Sequence, residues 1–199
     1  ILIFVNNELS FDQFHKNSDR IYRAWVKEDY KSGQQFFNTV TPYPLGSALE
    51  NEIPEIKSVV QISLLNWQVV SGSKKNPTTI HMVGKDFFDV FSYKTISGNT
   101  SNIFDDPKNI VLTEEMALKH FGSTDIIGKN VVFDLDGEEK IFLVKAVVQS
   151  PPTNSSIRFN MLISDLNKTT LLGGMQLENW FNINPETYVL LKEGSSLVN

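Results

Sequence analysis

Prolines set the first constraint on this chain. Pro42 and Pro44 open, and Pro54 closes, a segment that predicts one helix starting within Thr41-Pro42-Tyr43-Pro44 and running to about Glu52. A proline fits the first helical turn, where its missing N–H is not needed, and the residue before a proline disfavours the αR region. Upstream of that helix the pattern turns to period two. From Ile21 onward, Tyr22, Ala24 and Val26 share one face, while Arg23, Trp25 and Lys27 share the other. That alternation reads as a strand. Residues 35–40 and 56–63 read as two more strands. The order strand, strand, helix, strand packs naturally as a split βαβ layer, so the fold class is α+β.

Upstream, Ser10 and Gln13 have the spacing of a capping box and predict a short helix broken at Asn17-Ser18. Residues 64–97 read as two or three further strands, clearest over 78–83, with Phe87, Phe88 and Phe91 on one face of a helical turn. The polar stretch 97–102 and the turn Asp105-Asp106-Pro107 mark the best internal boundary. Beyond it, Ile110-Val111-Leu112 is a short buried strand, and Thr113 caps a helix that ends at Gly122. Asp136-Gly137 joins two strands, 131–133 and 140–149, as a hairpin. A proline-rich loop over 150–156 leads to an apolar run at 159–163. Trp180 and Phe181 are expected to be buried, and 187–192 is a last strand.

Chemistry is harder to find. The chain has no cysteine, which removes disulfides, thiolate metal sites and cysteine nucleophiles together. His15, His81 and His120 stand in separate elements and lack the spacing of a metal motif. Residues 122–130 resemble a phosphate-binding loop only superficially. Five residues separate the glycines, Asn130 replaces the hydroxyl that would hold Mg²⁺, and the loop follows a helix. It reads as a helix end and a turn. Asp134, Asp136, Glu138 and Glu139 form an acidic turn without the spacing of a calcium loop, best taken as a solvated hairpin tip. With 18 basic residues scattered among 23 acidic ones and a net charge of −5, nucleic acid is not a partner. No catalytic site, cofactor or metal is expected, and the chain does not read as an enzyme.

No stretch approaches the ~20 apolar residues that span a bilayer. Residues 1–5 are nevertheless apolar and stop abruptly at Asn6-Asn7-Glu8. They read equally as a buried first strand or as the end of something longer.

Several phrases, taken in order, resemble one family. Residues 8–17 and 19–23 are similar to the segment after the first transmembrane helix of MacB- and FtsX-type ABC permeases, in the form common in Bacteroidetes. Residues 84–91, 110–122, 127–129, 151–156 and 187–192 continue the likeness over essentially the whole chain. Two loops depart from it: Thr153 and Ser156 differ from the usual Pro-Pro-Asn-Ser-His, and Gly84-Lys85 stands where Asp-Pro is common.

The resemblance implies the periplasmic domain of an inner-membrane permease. Residues 1–9 would be the end of the first transmembrane helix and its linker. Residues 10–107 would be a porter-like α/β subdomain, 108–184 an inserted smaller mixed α/β (sabre-like) subdomain, and 185–199 a return strand to a truncated porter part. An open sheet edge is then expected near the last strand. Implied partners are an ABC ATPase subunit, a second permease copy in a dimer, and a periplasmic adaptor or substrate protein. The implied action couples ATP hydrolysis by the partner to movement outside the membrane, in export, lipoprotein handling or mechanotransmission. Candidate contact surfaces are apolar-tipped loops at Asn66-Trp67-Gln68 and Gly173-Gly174-Met175. The alternative is a free-standing domain that binds a small molecule or peptide in an aromatic-lined cleft. A hydrolase has no motif behind it.

Overall fold

The structure, a computed structural model, describes residues 10–29, 33–71, 74–135 and 137–195. The apolar stretch at 1–5 and Asp136 lie outside the described residues. The chain is a mixed α/β protein with a large sheet and few helices. In chain order the strands are β1 (Ile21–Arg23), β2 (Val26–Asp29), β3 (Gln35–Asn38), β4 (Ile56–Ser71), β5 (Lys74–Val83), β6 (Thr95–Gly98), β7 (Asn109–Thr113), β8 (Asn130–Leu135), β9 (Glu138–Val148), β10 (Met161–Ser164) and β11 (Glu186–Leu191). The α-helices are α1 (Tyr43–Glu52), α2 (Phe87–Val90), α3 (Glu114–Phe121), α4 (Lys168–Leu172) and α5 (Gly174–Glu178).

Nine strands form one sheet in the order β1-β11-β4-β5-β10-β7-β9-β6, and β8 pairs with both β4 and β9. Two long strands make this possible, because each changes neighbour along its length. The first half of β4 pairs with β11, and its far end takes β8 through Gln68↔Asp134 to Val70↔Val132. In the same way β9 takes β8 over 138–143 and β6 near its end. The ladder β4-β5-β10-β7-β9-β8 therefore returns to β4 and closes a six-stranded ring. Strands from both sides of residue 107 share this ring.

All six ring strands contribute to one apolar cluster, including Val69, Ile80, Ile110, Phe133, Phe142 and Met161. Alternate residues of five of these strands, all but β8, face outward into a second cluster, where Phe87, Phe91, Phe104 and Phe159 pack around Val111 and Leu162. Strand alternation produces the two layers, since successive side chains point to opposite faces. One extra residue, Lys145, sits in a bulge where Ile110↔Val144 is followed by Val111↔Ala146. Gly98 lies against it: a Cβ there would be 2.1 Å from the Lys145 carbonyl oxygen, and its φ is +80°. Only glycine fits both demands.

The proline-bracketed helix is found as expected over Tyr43–Glu52, and it covers a small third cluster of Ile56, Val189 and Leu191. Thr113 caps α3 by accepting from the Met116 N–H, and Gly122 ends it at φ 70°. The 122–130 segment is thus a helix end and a turn before β8.

Other expectations need correction. Residues 10–17 form turns rather than a helix, because Asp12 stands at φ +57° and its N–H donates to the Asn154 carbonyl at 3.0 Å. The strand from Ile21 breaks at Ala24, whose N–H donates to Thr187 O at 2.8 Å. The chain then leaves the sheet, and β2 pairs with β3 in a separate two-stranded hairpin. The last strand, β11, is covered on both sides by β1 and β4, so among the described residues the edge nearest to it is the three-residue β1, and β6 ends the sheet's other side. Trp180 and Phe181 are 51% and 96% exposed. They follow two five-residue helices and reach neither main cluster.

Candidate partner surfaces and an open groove

The structure separates the two predicted contact loops in kind. Asn66-Trp67-Gln68 is not a loop but the middle of β4. Trp67 is half-buried and packs edge-on to Phe133 with ring centres 5.4 Å apart, and against Phe142 at 6.0 Å. It is a wall of the ring core. Gly173, Gly174 and Met175 are exposed, Met175 at 90%, and Gly173 turns the chain between α4 and α5 at φ +77°. Trp67 shares a shallow cavity of about 340 Å³ with Leu171 and Leu172 of α4, and Gly173, Gly174 and Met175 do not line it.

Sequence reasoning missed a second exposed apolar feature. Trp25, Phe36 and Phe37 are 63%, 51% and 59% exposed, on and beside the β2–β3 hairpin. Trp25 and Phe37 meet edge-on at 6.2 Å. The signal was present, because alternation already placed Trp25 with Arg23 and Lys27 on the polar face. This hairpin and the segment carrying Trp180 and Phe181 leave the body at one place. There Thr41 N donates to Pro185 O at 2.7 Å and Asn184 N to Thr41 O at 3.1 Å.

A groove of about 680 Å³ opens over the outer face of β4 and β5. Ile62 and Leu64 lie on the same face of β4, yet Ile62 is 4% exposed and Leu64 58%. The core cluster stops between them, and the groove begins. Beside them His81 is 9% exposed, and its Nδ1 is buried without a hydrogen-bond partner. Its ring touches Phe159 edge-on at 6.3 Å. Burial pulls its pKa down to about 4, so the imidazole is neutral at physiological pH. Glu186 at the rim is neutralised by Arg23 at 2.6 Å and accepts from the Tyr188 hydroxyl.

The groove wall at 150–160 is fastened to the N-terminal segment. Asn154 Nδ2 donates to Ser10 O at 3.0 Å, and the Ser156 N–H donates to Asp12 Oδ1 at 2.9 Å. That segment is in turn tied to the core. The Ser92 N–H donates to His15 Nδ1 at 3.0 Å, Asn17 Nδ2 to Asp89 O at 3.2 Å, and Arg20 Nη1 to Leu191 O at 3.1 Å. His15 is buried, and burial lowers its pKa while Asp12 opposes the shift. Burial also lowers His120, with a smaller push from Lys119.

Near the end of β8, Asp134 lies against Lys75 at 2.6 Å, and that hydrogen bond lowers its pKa. Among the described residues no three His, Asp or Glu side chains gather as metal ligands do, and no helix is long and apolar enough to cross a membrane.

The described residues thus combine a continuous mixed sheet with a separate aromatic hairpin and an open groove. The chain belongs to the MacB-like periplasmic core domain family, whose family model matches residues 1–198. This is a family of transporter periplasmic domains and not a catalytic one. Solved structures share the fold. A domain assigned to a permease protein from Porphyromonas gingivalis is 22% identical, with a TM-score of 0.76 over 92% of this chain and 77% of that one. The likeness agrees with the Bacteroidetes form read in the sequence. The periplasmic region of MacB from Actinobacillus actinomycetemcomitans is 17% identical, with a TM-score of 0.60 over 89% and 75%. The extracellular domain of the noncanonic ABC-type transporter YknZ from Gram-positive bacteria is 16% identical, with a TM-score of 0.59 over 88% and 83%. No curated protein matches the chain.

Proposed function

We propose that this chain is the periplasmic domain of an inner-membrane ABC transporter permease that moves as a cytoplasmic partner subunit hydrolyses ATP. Its own role is mechanical and adhesive, in export, lipoprotein handling or mechanotransmission. Family membership supports the class. The observation that carries the coupling is the fastening of residues 10–20. That segment would follow the first transmembrane helix, and it bonds to 154–156, 89–92 and Leu191. A pull on it would reach the groove wall, the outer cluster and the sheet edge together. In this reading 10–107 with 185–199 form the porter-like part and 108–184 the inserted sabre-like part. A second permease copy and a periplasmic adaptor or substrate protein meet the exposed apolar surfaces, Met175 with Gly173 and Gly174 among them.

Electron–electron distance measurements test the coupling. Spin labels on the outer domains of the full-length permease, assembled with its ATPase, should report a distance change on ATP addition. The double variant Asp12→Ala, Asn154→Ala should shrink that change while ATP is still hydrolysed. An unchanged distance distribution in the wild type would sink the coupling.

A further inference from the structure

We infer that the groove over β4 and β5 is a binding site for a short, extended, uncharged polypeptide segment carrying an apolar side chain. The inference goes beyond the permease reading and does not depend on ATP coupling. Its volume of about 680 Å³ falls within the range of real ligand sites. Four features select the occupant. Leu64 offers an open apolar surface on the outer face of β4, whereas Ile62, the next residue on that face, is buried. His81 presents a nine-tenths buried imidazole that makes no hydrogen bond to any described residue. A buried polar group left unpaired is costly, so an occupant that completes it gains by doing so.

The third feature is a pair of side-chain amides whose N–H donors reach none of the described residues. Asn184 uses its Oδ1 to accept from Tyr43 at 3.2 Å, and its Nδ2 donates to none of the described residues. The Asn160 side chain likewise bonds to none of them. Side-chain amides of this kind match the alternating donors and acceptors of a main chain. The fourth is charge. Glu115 and Arg158 are of opposite sign, and Glu186 is already held by Arg23, so the groove favours neither an anion nor a cation. A phosphate or fatty-acid carboxylate would find no net positive field there.

The test uses the 199-residue chain with labelled leucine methyls and histidine rings, followed by NMR. The probe is an equimolar pool of acetyl-Ala-Xaa-Ala-Ala-amide peptides in which Xaa is each apolar residue type. Sodium octanoate is the second arm. Saturable shifts at Leu64 and His81 with the peptide pool are expected. His81→Phe should weaken binding about tenfold or more, which is the loss of one good hydrogen bond. The exposed-site variant Leu64→Ser should do the same without lowering the melting temperature, and it serves if His81→Phe folds poorly. The inference is overturned by no saturable shift at millimolar peptide, by octanoate occupying the site where peptide does not, or by equal affinity in Leu64→Ser.

Discussion

The ring interior and the β2–β3 hairpin contain the same kinds of residue and treat them in opposite ways. Inside the ring Phe133 is fully buried and Phe142 is 5% exposed, with Trp67 laid across both. On and beside the hairpin Trp25, Phe36 and Phe37 are each more than half exposed. Both regions alternate, and both are aromatic. What differs is the number of neighbours. Every ring strand is paired on two sides, and all but β8 send residues into the second layer, whereas among the described residues the hairpin pairs only with itself. A two-stranded hairpin is marginal alone, and exposed aromatics grouped on it make a candidate contact surface.

The comparison makes predictions of decreasing size. Phe133→Ala should destabilise the chain by about 3–5 kcal/mol, read as a lower urea midpoint at unchanged slope. A loss near zero would mean the ring is not the core. Next comes pH. His81 is held near pKa 4 in the folded chain, against 6.5 when unfolded. Between those values the unfolded chain binds a proton that the folded chain refuses. Stability is therefore full above pH 6.5 and is lost as pH falls toward 4, by on the order of 3 kcal/mol. His81→Phe should narrow the difference between urea midpoints at neutral and acid pH, with burial of His15 keeping part of it.

Gly98→Ala, which puts a methyl group into the Lys145 carbonyl at the ring's bulge, should cost about 2 kcal/mol or more. At the small end, Phe36→Ser with Phe37→Ser should change stability by no more than about 0.5 kcal/mol, the usual range for exposed positions. A large loss there would erase the distinction between the two regions.

Much of the local structure was legible. Prolines bracket α1, the Thr113 hydroxyl and Gly122 bound α3, and Phe87 with Phe91 face one core, all by local rules that sequence carries openly. Ring closure was not legible, because β8 meets β4 through residues more than sixty positions apart (Val70↔Val132). Local alternation says that each is a strand and nothing about its neighbour. The same blindness turned Asn66-Trp67-Gln68 into a loop, although alternation continues through it, with Leu65, Trp67 and Val69 facing inward. The helix expected at 10–17 failed for a similar reason. A capping signature is local, and the Asp12 and Asn154 contacts that override it are not. The groove draws its residues from separate segments, and no single phrase announces it. Of the named surface candidates, Met175 is open and Trp67 serves the core.

Hydrogen exchange of the assembled permease tests most directly whether the exposed aromatics are contact surfaces. In the isolated chain the amides of β2, β3 and 174–181 should exchange quickly, and those of β7, β9 and β10 slowly. In the full permease with its partners, the hairpin or the 174–181 segment should gain protection while the ring strands stay unchanged. Fast exchange at both sites in the assembled complex would contradict the account.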